Sequence, residues 1–260
     1  AKIHNPRRKD NRMKRLLTFL IVLAVALGGL YLWWQIKAVQ MIDDGVKTAC
    51  RNLVTNPDSL DISVSKPVTI TGIGRATVPQ IVIKGQNLTL RKGPDLASAK
   101  IVLNDLAVAG PPFHFSGIGD GYYNLTVTDD AATAYLRKRG VKVAGLRIPL
   151  ETLKVTFAGK DSTVINGEVS VKVPLIGEKR FPLTANGKLL PSNINGEVNY
   201  KLSKFTVDKM PLNLHNQVEG ALAVVNPVIT FADWPFQSDI SKIIVTAGKA
   251  TVGGRITGVR

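Results

Sequence analysis

The chain has 260 residues, 45% of them hydrophobic, and a formal net charge of +15. This length allows one large domain or two small ones with a sizeable core. Cys50 is the only cysteine, which excludes an intrachain disulfide, so packing alone must stabilise the fold. Such a basic chain often has a nucleic-acid partner, but the membrane topology that the N-terminal region predicts argues against one.

An uncharged apolar segment, residues 16–34, follows a basic tail, residues 1–15. At about 1.5 Å per residue this segment gives a helix of roughly 28 Å, close to the ~30 Å hydrocarbon core of a bilayer. Because positive flanks stay cytoplasmic, we expect one transmembrane helix, a cytoplasmic N-terminus and an extracytoplasmic region 35–260, in a bacterial inner membrane. The rival interpretation is a signal peptide cleaved near Ala24-Val25-Ala26, which would leave an apolar stub as the new N-terminus.

Two more helices are predicted. Apolar residues recur at spacings of three and four over residues 36–53, which indicates an amphipathic helix that ends at Asn56-Pro57. This helix could continue from the membrane span with a change of direction near Gly45. A short helix is predicted for residues 129–139, because Thr128 is a suitable N-cap, acids occupy the first turn and glycine follows the last.

From residue 60 onward, alternation of apolar and polar residues predicts β-strands, for example over residues 153–157. We expect a β-rich α+β fold with about ten to twelve antiparallel strands in one or more strongly curved sheets. Lys84-Gly85, Asn166-Gly167 and Asn186-Gly187 are among the turn signals that separate the strands. No domain linker stands out.

Residues with catalytic chemistry are sparse. His4, His114 and His215 have no second ligand at metal-site spacing, so neither a metal nor a histidine base is expected. The glycine clusters at 72–74 and 117–121 lack the strand-to-helix context of a phosphate loop, which favours bends in a sheet over nucleotide binding. We therefore expect neither an enzyme nor a cofactor.

A large sheet with one apolar face either closes as a barrel or leaves a lipid-sized groove. Trp234 and Phe236 would line the groove mouth or fill a barrel end, and the two possibilities are equal. Each candidate lining residue alone also fits ordinary core packing, so the prediction concerns their shared face. The candidates are Val46, Leu53, Ile81, Ile83, Leu103, Leu153, Phe157, Val171, Val173, Trp234 and Phe236. Arg137, Lys138 and Arg139 are candidate contacts to anionic headgroups at a membrane surface.

The order of elements over residues 36–258 resembles a known family. The pattern consists of an opening helix, a glycine-containing strand at 72–90, a strand at 96–108, the strand-to-helix element at 126–140 and a closing hairpin at 240–258. It is similar to the domain-of-unknown-function family 2993, the LmeA-like phospholipid-binding proteins of bacterial envelopes. The resemblance implies a tubular lipid-binding fold, a curved sheet around a helix, and transfers no active-site residues. The uncleaved span departs from cleaved members of that family.

Together these features favour a membrane-anchored, non-catalytic protein that binds phospholipid or another acyl lipid in an apolar groove, for lipid homeostasis or transfer in the envelope. The expected partners are membrane lipids, anionic phospholipid in particular, and no nucleic acid. The alternative is a structural or accessory subunit of a membrane protein complex. For that role Gly28-Gly29 would let another helix approach closely.

Overall fold

The structure is a computed structural model of the chain. It describes residues 7–51, 53–72, 75–91, 93–110, 114–139, 142–143, 146–147, 152–173, 177–192, 196–208, 226, 228–230, 234 and 236–259.

The described residues form two α-helices and fifteen β-strands. The helices are α1 (Arg7–Cys50) and α2 (Asp129–Arg139), and one 3-10 turn (Pro57–Ser59) precedes the first strand. The first eight strands are β1 (Leu60–Val64), β2 (Thr69–Gly72), β3 (Arg75–Leu88), β4 (Leu96–Ala109), β5 (His114–Gly117), β6 (Asp120–Thr128), β7 (Lys142–Val143) and β8 (Leu146–Arg147). The others are β9 (Lys154–Gly159), β10 (Ser162–Val173), β11 (Gly177–Pro191), β12 (Glu197–Val207), β13 (Ile229–Thr230), β14 (Phe236–Thr246) and β15 (Lys249–Val259).

Helix α1 joins the two N-terminal helical predictions into one continuous helix of 44 residues. The predicted change of direction near Gly45 does not interrupt it, although glycine in a helix costs about 1 kcal/mol relative to alanine. Val46 is almost completely buried, so packing of the adjacent turn offsets that cost. The helix ends at Cys50, earlier than predicted, and a turn follows in which the carbonyl of Cys50 accepts hydrogen bonds from Leu53 N and Val54 N at 2.9 and 3.0 Å.

Helix α2 has the bounds that its sequence predicts. Thr128 Oγ1 accepts a hydrogen bond from Ala131 N at 3.3 Å, which confirms the N-cap. Asp129 and Asp130 lie in the first turn, where they stabilise the positive end of the helix dipole.

The strands form two sheets in which every pairing is antiparallel. The eight-stranded sheet has the order β1-β3-β4-β6-β15-β14, with β2 also on β3 and β5 also on β4. The seven-stranded sheet has the order β13-β12-β11-β10-β8-β7, with β9 also on β10. The prediction of a β-rich antiparallel fold is confirmed. The strand number exceeds ten to twelve because three strands are only two residues long.

The predicted strong curvature is wrong, since neither sheet curls strongly or closes on itself. Closure would require the two edge strands of a sheet to pair with each other. In the eight-stranded sheet these edges are β1 and β14, which do not pair. Instead, the C-terminal part of α1 covers the apolar face of this sheet, with Ala38, Ile42 and Val46 buried against it.

Three turn predictions are wrong, because Lys84-Gly85, Asn166-Gly167 and Asn186-Gly187 all lie inside strands. At Gly187 the reason is close packing rather than turning. A Cβ atom there would come within 2.5 Å of the Tyr200 ring on β12. The turn between β9 and β10 forms instead at Lys160-Asp161, whose φ angles are 50° and 59°.

The interior consists of two apolar clusters. The first core cluster lies between α1 and the eight-stranded sheet, and the second lies between α2 and the seven-stranded sheet. The sheets meet at the turn between β14 and β15, where Gly248 N donates to Phe157 O at 3.0 Å and Ala158 forms a bridge with Ala247. Both clusters contact Ala132 and Leu189, so the two cores adjoin at this junction.

Candidate functional site

The N-terminal half of α1 stands clear of the folded region. The described side chains from Thr18 to Trp33 are exposed, and a Cβ added at Gly28 or Gly29 would meet nothing within 4 Å. The helix is long and apolar enough to cross a membrane. An exposed apolar surface of this size in water would be a site for a membrane or for another protein.

Gln35 marks the point where α1 joins the fold. Its amide nitrogen donates to Val68 O at 2.7 Å, and its amide oxygen accepts from Val68 N at 2.8 Å. The side chain thus bonds both backbone groups of a residue that immediately precedes β2, as a neighbouring strand would. Both residues are buried, so water does not compete for these bonds.

The direction of α1 fixes the two ends of the eight-stranded sheet. Gln35 lies beside Val68, next to the start of β3, whereas Arg91 N, beyond the end of β3, donates to Leu53 O at 3.0 Å. The helix therefore runs along the sheet from the start of β3 to its end. We call the end that contains Arg75 the anchor-side end, because it faces the exposed half of α1, and the opposite end the far end.

The first core cluster holds most of the predicted lining residues. Val46, Ile81, Ile83, Leu103, Trp234 and Phe236 are buried in it, and Leu53 packs against it partly buried. Alternation along the strands thus identifies the inward face correctly. This face is filled by α1 and by neighbouring side chains, so these residues lie in a packed core.

Trp234 and Phe236 extend this core with aromatic contacts. The Trp234 ring lies 5.8 Å from the Tyr123 ring, edge to face, and the Phe236 ring lies 5.2 Å from the Phe115 ring. Such pairs contribute about 0.5–1.5 kcal/mol beyond the area they bury. Burial, together with a smaller contribution from the nearby Asp239 charge, raises the pKa of Tyr123 to about 12.

The second core cluster contains an apolar cavity between α2 and the seven-stranded sheet. Of the predicted residues, Phe157 lines this cavity, and Leu153 is buried in the same cluster. The side chains of Val171 and Val173 lie outside the described residues. The cavity volume is about 40 Å³, whereas a pocket for a drug-sized ligand takes about 300–1,000 Å³. The residues that sequence reasoning missed include Ala132, Tyr135, Leu136, Val155, Ile165 and Tyr200.

Sequence signals for some of these residues exist. Ala132 and Leu136 are four residues apart and so share one face of α2, and Tyr200 lies on an alternating strand. Neither pattern shows that these two faces meet. Whether they meet depends on how α2 packs on β9, which lies about 20 residues farther along the chain.

Three side chains that line the cavity carry a hydroxyl group, those of Tyr135, Thr163 and Tyr200. Tyr200 donates its hydroxyl to Ala185 O at 3.0 Å, and burial raises the pKa of Tyr200 well above its usual value. The buried Thr163 Oγ1 has no hydrogen-bond partner within the part of the chain that the structure describes. An unpaired buried hydroxyl costs about 1–3 kcal/mol, and a ligand or water oxygen in the cavity would remove that cost.

Hydrogen bonds fasten α2 to β9 along its length. Thr133 Oγ1 accepts from Val155 N at 2.9 Å, and Asp129 Oδ1 accepts from Phe157 N at 2.7 Å. Arg137 Nε donates to Leu153 O at 2.9 Å. These bonds hold α2 on the seven-stranded sheet, because β9 is part of that sheet through its pairing with β10.

The predicted headgroup cations lie at the C-terminal end of α2. Arg137 and Lys138 are exposed, while the side chain of Arg139 lies outside the described residues. Helix α2 follows the last residue of β6, Thr128, which is at the far end of the sheet. The helix that carries these cations therefore begins at the end of the sheet opposite to the exposed half of α1.

The described residues contain no group of three or more His, Cys, Asp or Glu side chains that could hold a metal ion. His4 and His215 lie outside the described residues. The comparisons with family models, curated proteins and solved structures found no match for this chain.

Proposed function

We propose that this chain is a membrane-tethered, non-catalytic lipid-binding protein of the bacterial envelope. Residues 16–34 span the inner membrane, residues 1–15 stay in the cytoplasm, and residues 35–260 lie on the extracytoplasmic side. The observation that supports lipid binding is the apolar cavity between α2 and the seven-stranded sheet, with its unpaired Thr163 hydroxyl. The resemblance to the LmeA-like phospholipid-binding proteins also favours lipid binding.

The position of Gln35 supports the tether. It is the first buried polar residue after the apolar segment, and segment 16–34 alone matches the thickness of the hydrocarbon core, about 30 Å. The fold therefore begins where the bilayer would end, and Trp33 and Trp34 would lie at the interface, where tryptophan is enriched.

The cavity admits only the end of a hydrocarbon chain in this conformation. About 40 Å³ is room for a few water-sized groups. A longer chain requires α2 to move away from Tyr200 on β12 and Leu189 on β11. Burial of the chain would provide about 0.8 kcal/mol per methylene group, which supplies the free energy for that movement.

A structural role is the second candidate, and the small cavity volume favours it. Beyond the span, Ile36 and Met41 remain 53% and 62% exposed on α1. An apolar helix face next to a membrane suits another membrane protein as well as it suits lipid. In this role the second core cluster would remain a packed core and hold no guest.

Native mass spectrometry of the full chain in mild detergent separates the two functions. The test variant is Ala132→Trp, which fills the cavity, and the control is Ala134→Trp, because Ala134 is exposed on the same helix. Lipid binding predicts a phospholipid adduct in the parent and in the control, and its loss in Ala132→Trp. A further variant, Tyr135→Ala, enlarges the cavity and should raise the bound fraction. Lipid adducts that are the same in all four proteins would contradict the cavity as the site.

A further inference from the structure

A second depression lies on the outer face of the eight-stranded sheet, at the anchor-side end. Arg75 pairs with Ala109 on β4, and Ala109 pairs with His114 on β5. Residues that pair directly across strands project from the same face of a sheet. Arg75 and His114 therefore flank Ala109 on the face opposite to Val108 and Phe115, which are buried in the first core cluster.

Small side chains make this face concave. A depression of about 460 Å³ is lined by Thr71, Arg75, Ala76, Ala107, Val108, Ala109, His114 and Ser116. This volume is about ten times that of the apolar cavity and falls in the range of ligand sites, about 300–1,000 Å³. Arg75 is exposed, and its guanidinium has no ion pair with any of the described residues.

The segments that line the depression carry positive charge, and the nearest acids in sequence are Asp105 and Asp120, which flank residues 106–119. Residues 65–80 and 106–119, which supply the lining and its neighbours, contain Lys66 and Arg75 but no aspartate or glutamate. Lys37, one turn beyond the span, adds another exposed cation on α1. An anion in the depression therefore meets a guanidinium and hydroxyl donors, with no carboxylate from these segments to oppose it.

The depression also lies at the membrane-facing end of the sheet. Gln35 follows the apolar span directly and is bonded to Val68, and Thr71 is three residues farther along β2, about 10 Å toward the exposed half of α1. This end of the sheet therefore reaches the membrane surface before Gln35 does. Ile70, 56% exposed on the same short strand, is placed to enter the edge of the hydrocarbon.

We propose that this depression binds the phosphate of an anionic phospholipid in the leaflet where α1 leaves the membrane. Arg75 is the main ligand, and Thr71 and Ser116 donate hydroxyl hydrogens to the remaining phosphate oxygens. The inference rests on the proposed membrane attachment and does not depend on the apolar cavity, which shares no lining residue with this depression. It assigns the headgroup contact to the anchor-side end rather than to the cations of α2.

The test measures lipid binding to the full chain in detergent micelles by native mass spectrometry. Dioleoyl phosphatidylglycerol and dioleoyl phosphatidylcholine share their acyl chains and differ in headgroup charge. The parent should bind phosphatidylglycerol at least about fivefold more tightly, the effect of roughly one cation at an anionic surface. Arg75→Gln should reduce this preference to near unity. The control, Arg91→Gln, removes an exposed arginine beyond the other end of β3 and should leave the preference unchanged.

Two further binding measurements distinguish this site from the apolar cavity and from a free-phosphate site. Ala132→Trp should keep the preference for phosphatidylglycerol, so that failure of the apolar cavity and failure of this site give different results. Inorganic phosphate at the lipid's concentration should not displace phosphatidylglycerol, because it lacks the membrane attachment of the lipid. Displacement by phosphate would overturn the lipid assignment in favour of a free-phosphate site. An equal preference in Arg75→Gln and Arg91→Gln would overturn the site itself.

Discussion

Replacement of Gln35 by leucine tests how the membrane helix is fixed to the fold. Leucine has nearly the volume of glutamine and a high helix propensity, so the packing of α1 should change little. The substitution removes both hydrogen bonds to Val68, at 2.7 and 2.8 Å, and leaves a buried N–H and a buried carbonyl without partners. The perturbation is therefore confined to one pair of backbone groups.

The expected cost follows from these two groups. Each buried backbone group left unpaired costs about 1–3 kcal/mol, and water that enters as the site relaxes reduces the sum. We expect a loss of about 3 kcal/mol in the free energy that holds Val68 closed. This value corresponds to a rise of about 100-fold in the opening equilibrium of that segment.

Hydrogen exchange of the full chain in detergent micelles, read by mass spectrometry on the peptide that contains Val68, measures this equilibrium. Gln35→Leu should accelerate exchange of the Val68 amide by about 100-fold. The control is Gln40→Leu, because Gln40 is exposed on the same helix, and it should change stability by no more than about 0.5 kcal/mol. Equal exchange in the two variants would refute the assignment of Gln35 as the clamp.

Three more predictions concern the fold. Gly254→Ala should lower the free energy of unfolding in urea by about 3 kcal/mol, because a Cβ there would overlap a backbone carbonyl of β14. Gly253→Ala should cost clearly less, because the close contact of its Cβ would be with the side chain of Asn124. Asp129→Ala should lower the free energy of unfolding by about 1–3 kcal/mol, because its hydrogen bond to β9 is lost. Asp130→Ala, at the exposed neighbouring residue, should lower it by less, and equal losses in the two variants would contradict this prediction. The free energy of unfolding should also fall as pH rises from about 10 to 12. Burial holds the Tyr123 pKa at about 12 in the folded state, whereas the unfolded side chain ionises near 10. If Tyr123→Phe leaves the slope of unfolding free energy against pH unchanged, this prediction is contradicted.

Local signals predicted the helices and the inward strand faces. Thr128, two acids and a following glycine gave the bounds of α2, because capping and dipole effects act within one turn. Alternation placed Ile81, Ile83 and Leu103 in the interior, because a strand in a one-sided sheet must bury every second residue.

The sequence did not predict features of the fold that depend on contacts between residues far apart in the chain. The degree of sheet curvature depends on how edge strands pair and on what covers the sheet, and both involve residues far apart in the chain. Gly187 looked like a turn residue, but it is required where β11 passes close to Tyr200. No local pattern distinguishes these two uses of glycine.

The candidate sites also depend on contacts between residues far apart in the chain. Leu153 and Phe157 were predicted as lining, but the opposite wall of the cavity, with Ala132 and Tyr200, depends on how α2 packs on the seven-stranded sheet. Likewise, Arg75 and His114 are 39 residues apart in sequence and become neighbours on one face only through the pairing of β3, β4 and β5.

Photo-cross-linking with a phospholipid that carries a diazirine near the end of one acyl chain tests lipid binding most directly. The full chain would be irradiated in membranes, and the labelled peptides would be identified by mass spectrometry. The account predicts label on α2 and on the strands that contain Phe157 and Tyr200, as well as on residues 16–34. Label confined to residues 16–34, at lipid concentrations that saturate the span, would contradict it.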